Sequence, residues 1–205
     1  MRGAIILAGG KGSRIGGEKH LRVLGGKALM LHVVEKASSV ADEVIVVLKN
    51  DDPQTYRKLL PDTVKIVRDS TQSEAPIVGI KTGGNASASE YSAFLSCDLA
   101  FLNPAVLEFL FSQAEGIDGV IPEWPDGLLE PLHAVYRTKL AAEAAEAALN
   151  AHEYRTISVA KRLETVKHVA VDELRKLDPD LLSFFNVNTA EDLAKAEKLL
   201  AHQAR

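Results

Sequence analysis

Over the first 120 residues, short apolar runs alternate with stretches of helical periodicity. GAIIL, EVIVVL, VKIV, YSAFLS and GVIP are apolar at successive positions, so both faces of each need cover. That pattern predicts buried strands of a parallel sheet, because a strand with one wet face alternates instead. Between them, ALMLHVVEKASSV, DPQTYRKLL, PIVGIKTGGNAS and NPAVLEFLFSQAE carry apolar residues at helical spacing. Asp52-Pro53 and Asn103-Pro104 each set a capping side chain before a proline suited to the first helical position. The β-α-β-α order predicts an α/β fold: a three-layer, doubly wound, mostly parallel sheet with helices on both faces. Ligands bind such sheets beyond the carboxyl ends of the strands, where the loops after AIIL and FLSC fall.

The pattern changes after residue 122. EWPDGLLEPLHAVYR is turn-rich and then strand-like, and an alanine-rich helix follows from about Thr138 to Asn150. EYRTISVAKRL, a strand TVKHVAV and a short helix near DELRKL come next. The last segment, SFFNVNTAEDLAKAEKLLAHQAR, reads as a loop and a terminal helix capped by Thr189, with Asp192 three residues on as in a capping box. No repeat, low-complexity tract or linker divides the chain, so residues 1–205 are expected to form one domain. The half after 122 is expected to cover the open end of the sheet.

Composition narrows the classes. With 46% hydrophobic and 25% charged residues among 205, the chain can bury an ordinary core. Nothing approaches a membrane span or a signal peptide, so a cytoplasmic protein is expected. A single cysteine, Cys97, cannot form an internal disulfide, and six scattered histidines without a Cys-x-x-Cys suggest no zinc site. The net charge of −4 provides no field for nucleic acid. Local charge differs: LAGGKGSRIGGEKHL, residues 7–21, packs glycines with Lys11, Arg14, Lys19 and His20 directly after the first strand.

Two familiar phosphate loops fail on this stretch. Gly10 and Gly12 begin a G-x-G-x-x-G, but Ile15 holds the third glycine position. Gly12 and Gly17 have P-loop spacing, yet Glu18-Lys19-His20 follows and no hydroxyl adjoins the lysine. The next helix is expected only near Gly26 or Lys27, leaving a loop longer than either motif. The physical reading survives: consecutive glycines let backbone amides approach an anion, and Arg14 and Lys19 can neutralise a triphosphate or a departing pyrophosphate. A solvated glycine loop would account for the same residues. Asp98, in SCDLAFLNP just past the fourth strand, reads either as a turn residue or as a hard oxygen ligand for Mg²⁺.

The stretch resembles the L-A-G-G-x-S-x-R-M-G-x-D-K signature of nucleotidyltransferases that transfer NMP from NTP, and is most similar to that of the molybdenum cofactor guanylyltransferases. Ile15 replaces the usual Met and Glu18 the usual Asp. Further similarity lies in the Cys97-Asp98 pair, with Ala100 in place of proline, in Ala75 to Gly79, in EPLHAVYR (Glu130 to Arg137) and in FFNVNTAEDL (Phe185 to Leu193). The resemblance implies a nucleotidyltransferase fold of Rossmann-like type. It implies that Leu7, Ala8, Gly9, Gly10, Lys19, Asn50, Asp69 and Asp98 hold GTP, with Asp98 on Mg²⁺. Lys19, Arg14 and Asp98 would be catalytic, and Arg155, Asn186 and Asn188 would serve the acceptor or the metal. Residues 1–122 would form the nucleotide half and 123–205 the acceptor half. The implied partners are GTP and molybdopterin, with transient contact to molybdoenzymes or cofactor-delivery proteins, and neither nucleic acid nor membrane.

Related enzymes pair CTP with molybdopterin, GTP with a cobamide precursor phosphate, or an NTP with a sugar phosphate. A non-catalytic GTP-binding delivery protein is the alternative from another class, and Asp98 counts against it. A dehydrogenase with Asp51 reading a ribose comes third, since the glycine spacing fails.

Overall fold

A computed structural model describes residues 1–8, 21–49, 53–69, 73 and 75–203. The five apolar runs are all strands: β1 (Arg2–Ala8), β4 (Glu43–Lys49), β5 (Lys65–Asp69), β6 (Tyr91–Ser96) and β7 (Gly119–Glu123). With β8 (His133–Arg137) and β9 (Val166–Ala170) they make one seven-stranded sheet, ordered β5-β4-β1-β6-β8-β7-β9. Every ladder is parallel except those of β8, which runs antiparallel to both β6 and β7.

Alternation within β1 sorts the layers. Ala4, Ile6 and Ala8 face one core, Ile5 and Leu7 the other. On the first side lie α1 (Leu29–Ser38), α2 (Pro53–Arg57), α4 (Pro104–Ser112) and α7 (Val171–Leu174). On the second lie α3 (Pro76–Ala86), α5 (Thr138–Asn150) and α6 (Ile157–Ala160). The doubly wound, three-layer expectation therefore holds. Close packing on the second face depends on Gly83, where a Cβ would run into Ile5 and Val47.

Two expectations are corrected. The helix expected near Gly26 is preceded by a hairpin of β2 (Val23–Leu24) and β3 (Lys27–Ala28), and α1 begins at Leu29. Gly25 and Gly26 take φ of 57° and 80°, the two-residue turn whose mirror-image backbone matches strand twist. Secondly, the half after 122 does more than cover the end of the sheet. It adds β8 and β9 and supplies helices to both faces. The capping residues behave as read: Asn103 Oδ1 accepts from the Ala105 amide at 2.9 Å. Asp192 N donates to Thr189 Oγ1 at 3.0 Å, and Thr189 N donates to Asp192 Oδ2 at 2.8 Å, completing the box that starts α8 (Ala190–Gln203). Asp52 lies outside the described residues.

Candidate active site

Strand order reverses at β1, so the crevice lies beyond the carboxyl ends of β1 and β6. Asp98 stands there, 4% exposed, two residues past β6. Ser96 Oγ donates to its Oδ1 at 2.5 Å, which fixes the carboxylate's orientation. Cys97 N donates to Leu7 O at 3.3 Å, tying the turn to the end of β1, where the glycine loop departs. The turn is also held from α1: Lys36 Nζ donates to Ala100 O at 3.1 Å. Burial depresses the Lys36 pKa, which Asp178 and Glu35 partly counter.

The chain's last loop reaches the same place. Val187 N donates to Asp98 O at 3.2 Å, so the two asparagines flanking Val187 are tethered beside the acidic turn. Asn186 Nδ2 donates to Phe184 O at 3.2 Å, while Asn188 O accepts from Arg22 Nη1 at 3.3 Å. Arg22 follows the glycine loop, so both ends of that loop converge on Asp98 and Asn188. The Asp192 carboxylate takes both the Asn188 and Thr189 amides. Burial pushes its pKa up, but hydrogen bonds from Thr189 and Asn188 outweigh that and hold it below the ordinary value.

Two strands away, Asp69 ends β5 and is 4% exposed. Lys49, the last residue of β4, is its partner in the ladder, with Nζ 3.7 Å from Asp69 Oδ2. Together with Leu7 and the start of α3 they line a small cavity. Lys49 was missed by sequence reasoning, since a single cation closing an apolar strand looks like a solvated end.

Beyond β8 the edge is aromatic. Trp124 Nε1 donates to Glu130 Oε1 at 2.7 Å, and Trp124 meets Phe184 edge-on at 5.7 Å. Burial raises the Glu130 pKa, and the indole hydrogen bond only partly opposes it. Phe184 stacks at 4.6 Å on His133, which is 1% exposed. Neither ring nitrogen of His133 makes a hydrogen bond of good geometry among the described residues. Burial drives its pKa down to about 4, with Ser183's backbone and Asp178 pulling weakly upward.

Leu7, Ala8, Asp98, Asn186 and Asn188 are thus gathered at one crevice, with Asp69 further along the same edge. Arg155 is exposed in the turn between α5 and α6, where its carbonyl accepts from Ser158 N at 3.0 Å. That turn follows the end of α5, which runs back from the amino edge to the carboxyl edge, but Arg155 makes no contact with the other candidates that the structure displays. Gly9, Gly10, Arg14, Lys19 and Asn50 lie outside the described residues, as do Lys11, His20 and Asp51.

Residues 4–166 match the model of the MobA-like NTP transferase domain. The chain belongs to that family. Among its relatives, a probable molybdenum cofactor guanylyltransferase of Methanosarcina mazei is 35% identical over 209 residues, covering 98% of this chain and 91% of that one. A molybdenum cofactor guanylyltransferase of Desulfosudis oleivorans is 35% identical over 195 residues, covering 94% and 93%. The crystal structure of molybdopterin-guanine dinucleotide biosynthesis protein A from Archaeoglobus fulgidus superposes with a TM-score of 0.81 at 32% identity, covering 98% of this chain and all of that one. As a MobA-like NTP transferase, the protein is an enzyme of the nucleotidyltransferase class. Among the described residues no helix is long and apolar enough to cross a membrane.

Proposed function

We propose that the protein transfers GMP from GTP to the phosphate of molybdopterin and releases pyrophosphate. One observation carries the reading: in a member of an NTP transferase family, a buried Asp98, hydrogen-bonded by the Ser96 hydroxyl, stands just past β6 at the edge where the end of β1, Arg22 and the two asparagines of the last loop are tethered together. The names of the full-length relatives support GTP and molybdopterin as the substrates.

The acceptor phosphate attacks the α-phosphorus in line, forming one P–O bond as the bond to pyrophosphate breaks. Being already anionic, the acceptor needs no general base, so positioning and charge neutralisation carry the catalysis. Arg14 and Lys19 neutralise the pyrophosphate as it departs. Leu7, Ala8, Gly9, Gly10, Asn50 and Asp69 hold the nucleotide, whereas Asn186, Asn188 and Arg155 serve the acceptor. This division makes residues 1–122 the nucleotide half of one domain and 123–205 the acceptor half.

The residues fit a hard divalent cation. Mg²⁺ is commonly held by one or two carboxylates and completes its shell with phosphate oxygens and water. Asp98 offers one oriented carboxylate, and no group of three or more His, Cys, Asp or Glu side chains forms a cage among the described residues. Mg²⁺ bound at Asp98 would offset the repulsion between the α-phosphate and the acceptor.

The test is pyrophosphate release with each of the four NTPs, with and without molybdopterin and Mg²⁺. Release is expected with GTP and to require both additions. Fastest release with CTP, or release indifferent to the acceptor, would overturn the assignment.

A further inference from the structure

The β2–β3 hairpin, which follows the glycine loop, is seated on the last segment of the chain. Leu24 is buried in a small core with Val187 and Ala196, and Gly25 N donates to Glu197 Oε1 of α8 at 3.0 Å. Leu29 N donates to Arg22 O at 2.8 Å, which closes the base of the hairpin. The Arg22 backbone is thereby fixed beside the last loop, and its half-buried side chain reaches across, Nη1 donating to Asn188 O at 3.3 Å. A guanidinium carries five donors, and among the described residues this is the one hydrogen bond the Arg22 side chain makes. Arg2, Arg162 and Arg175 each meet a carboxylate, whereas Arg22 meets none among the described residues. Asp192, four residues beyond Asn188, is occupied by the Asn188 and Thr189 amides. Val187, next to Asn188, donates its amide to Asp98 O, so this uncompensated cation is tethered beside the acidic turn.

We propose that Arg22 binds the phosphate of the acceptor, with Asn188 O steadying one N–H while the remaining donors grip two phosphate oxygens. This rests on the reading of the protein as a transferase to a phosphate acceptor. The planar fork of a guanidinium matches phosphate in a bidentate fashion, which an ammonium cannot do. A carboxylate partner would have cancelled its charge; a backbone carbonyl orients the group and leaves the charge intact. The reaction needs such a cation, because the acceptor phosphate must approach the α-phosphate as one anion approaching another. Arg14 and Lys19 serve the pyrophosphate, and Arg155 shows no contact with the group around Asp98. Arg22 comes from the nucleotide half yet is tied to a loop of the acceptor half. The limb that follows the first substrate's loop therefore sets the cation that receives the second.

The experiment compares the wild type with Arg22→Gln and Arg22→Lys, by pyrophosphate release at varied molybdopterin and by calorimetric titration of GTP. Gln keeps a donor for Asn188 O without the charge, and Lys keeps the charge without the fork. Arg22→Gln is expected to raise KM for molybdopterin about 10–100-fold while GTP affinity stays within about 2-fold, with Arg22→Lys in between. If thermal melts show the Gln variant unfolded, the Lys variant carries the comparison. A role confined to tethering Asn188 would leave Arg22→Gln at the wild-type KM, and that result overturns the assignment. Weakened GTP binding with KM for molybdopterin unchanged, or equal loss for both substrates, overturns it as well, since Arg22 would then serve the nucleotide or the fold. A wild type whose pyrophosphate release ignores molybdopterin overturns the guanylyl reading and this inference together. A molybdopterin-dependent wild type with unaltered variants overturns this inference alone.

Discussion

At the scale of single residues, the site is a set of buried polar groups held by neighbours distant in sequence. Asp98→Asn keeps the shape and the Ser96 contact but loses the charge. Turnover is expected to fall on the order of 10²–10³-fold while the unfolding midpoint holds, read by a pyrophosphate assay beside a thermal melt. His133 makes a prediction of the opposite kind, about stability. Its pKa falls from 6.5 to about 4 on burial, so between those values the unfolded chain binds a proton that the folded one refuses. Stability therefore rises with pH through that window, is complete above it, and loses up to about 3 kcal/mol towards its acid end. His133→Leu should flatten that slope in denaturant titrations at pH 4.5 and 7. Asp98 was legible because its position, just past a strand at the binding edge, is written in the local sequence. The nearness of Lys49 to Asp69 was not, because it is decided by a parallel ladder and not by any local motif.

At the scale of elements, the strands were readable from their apolar runs, and three features were not. The Gly25-Gly26 hairpin looked like the tail of the glycine loop, since its strands are only two residues each. The direction of β8 is invisible locally because an isolated strand carries no mark of its partner's orientation. In α3, glycines that weaken a helix by propensity are required by packing. Replacing an interior helical glycine by alanine normally stabilises by about 1 kcal/mol. At Gly83 the new methyl would meet Ile5 and Val47 of the sheet, so Gly83→Ala should instead cost about 1–3 kcal/mol in chemical denaturation.

At the scale of the molecule, the carboxyl edge of one sheet holds two ends of different character: the Lys49–Asp69 cavity on one flank and the Trp124–Glu130–Phe184 group on the other, with Asp98 between them. Trp124 is the only tryptophan, so its fluorescence reports on one flank alone. GTP should leave the emission nearly unchanged, and molybdopterin should shift or quench it. The reversal of β8 has a consequence for descent. Because that strand starts at the working edge and α5 returns to it, one β-α unit presents two turns, 124–132 and 151–156, at that edge while the parallel ladders joining β5, β4, β1 and β6 stay intact. Changes of length or sequence in those two turns can therefore alter the edge without touching the parallel strands beside it.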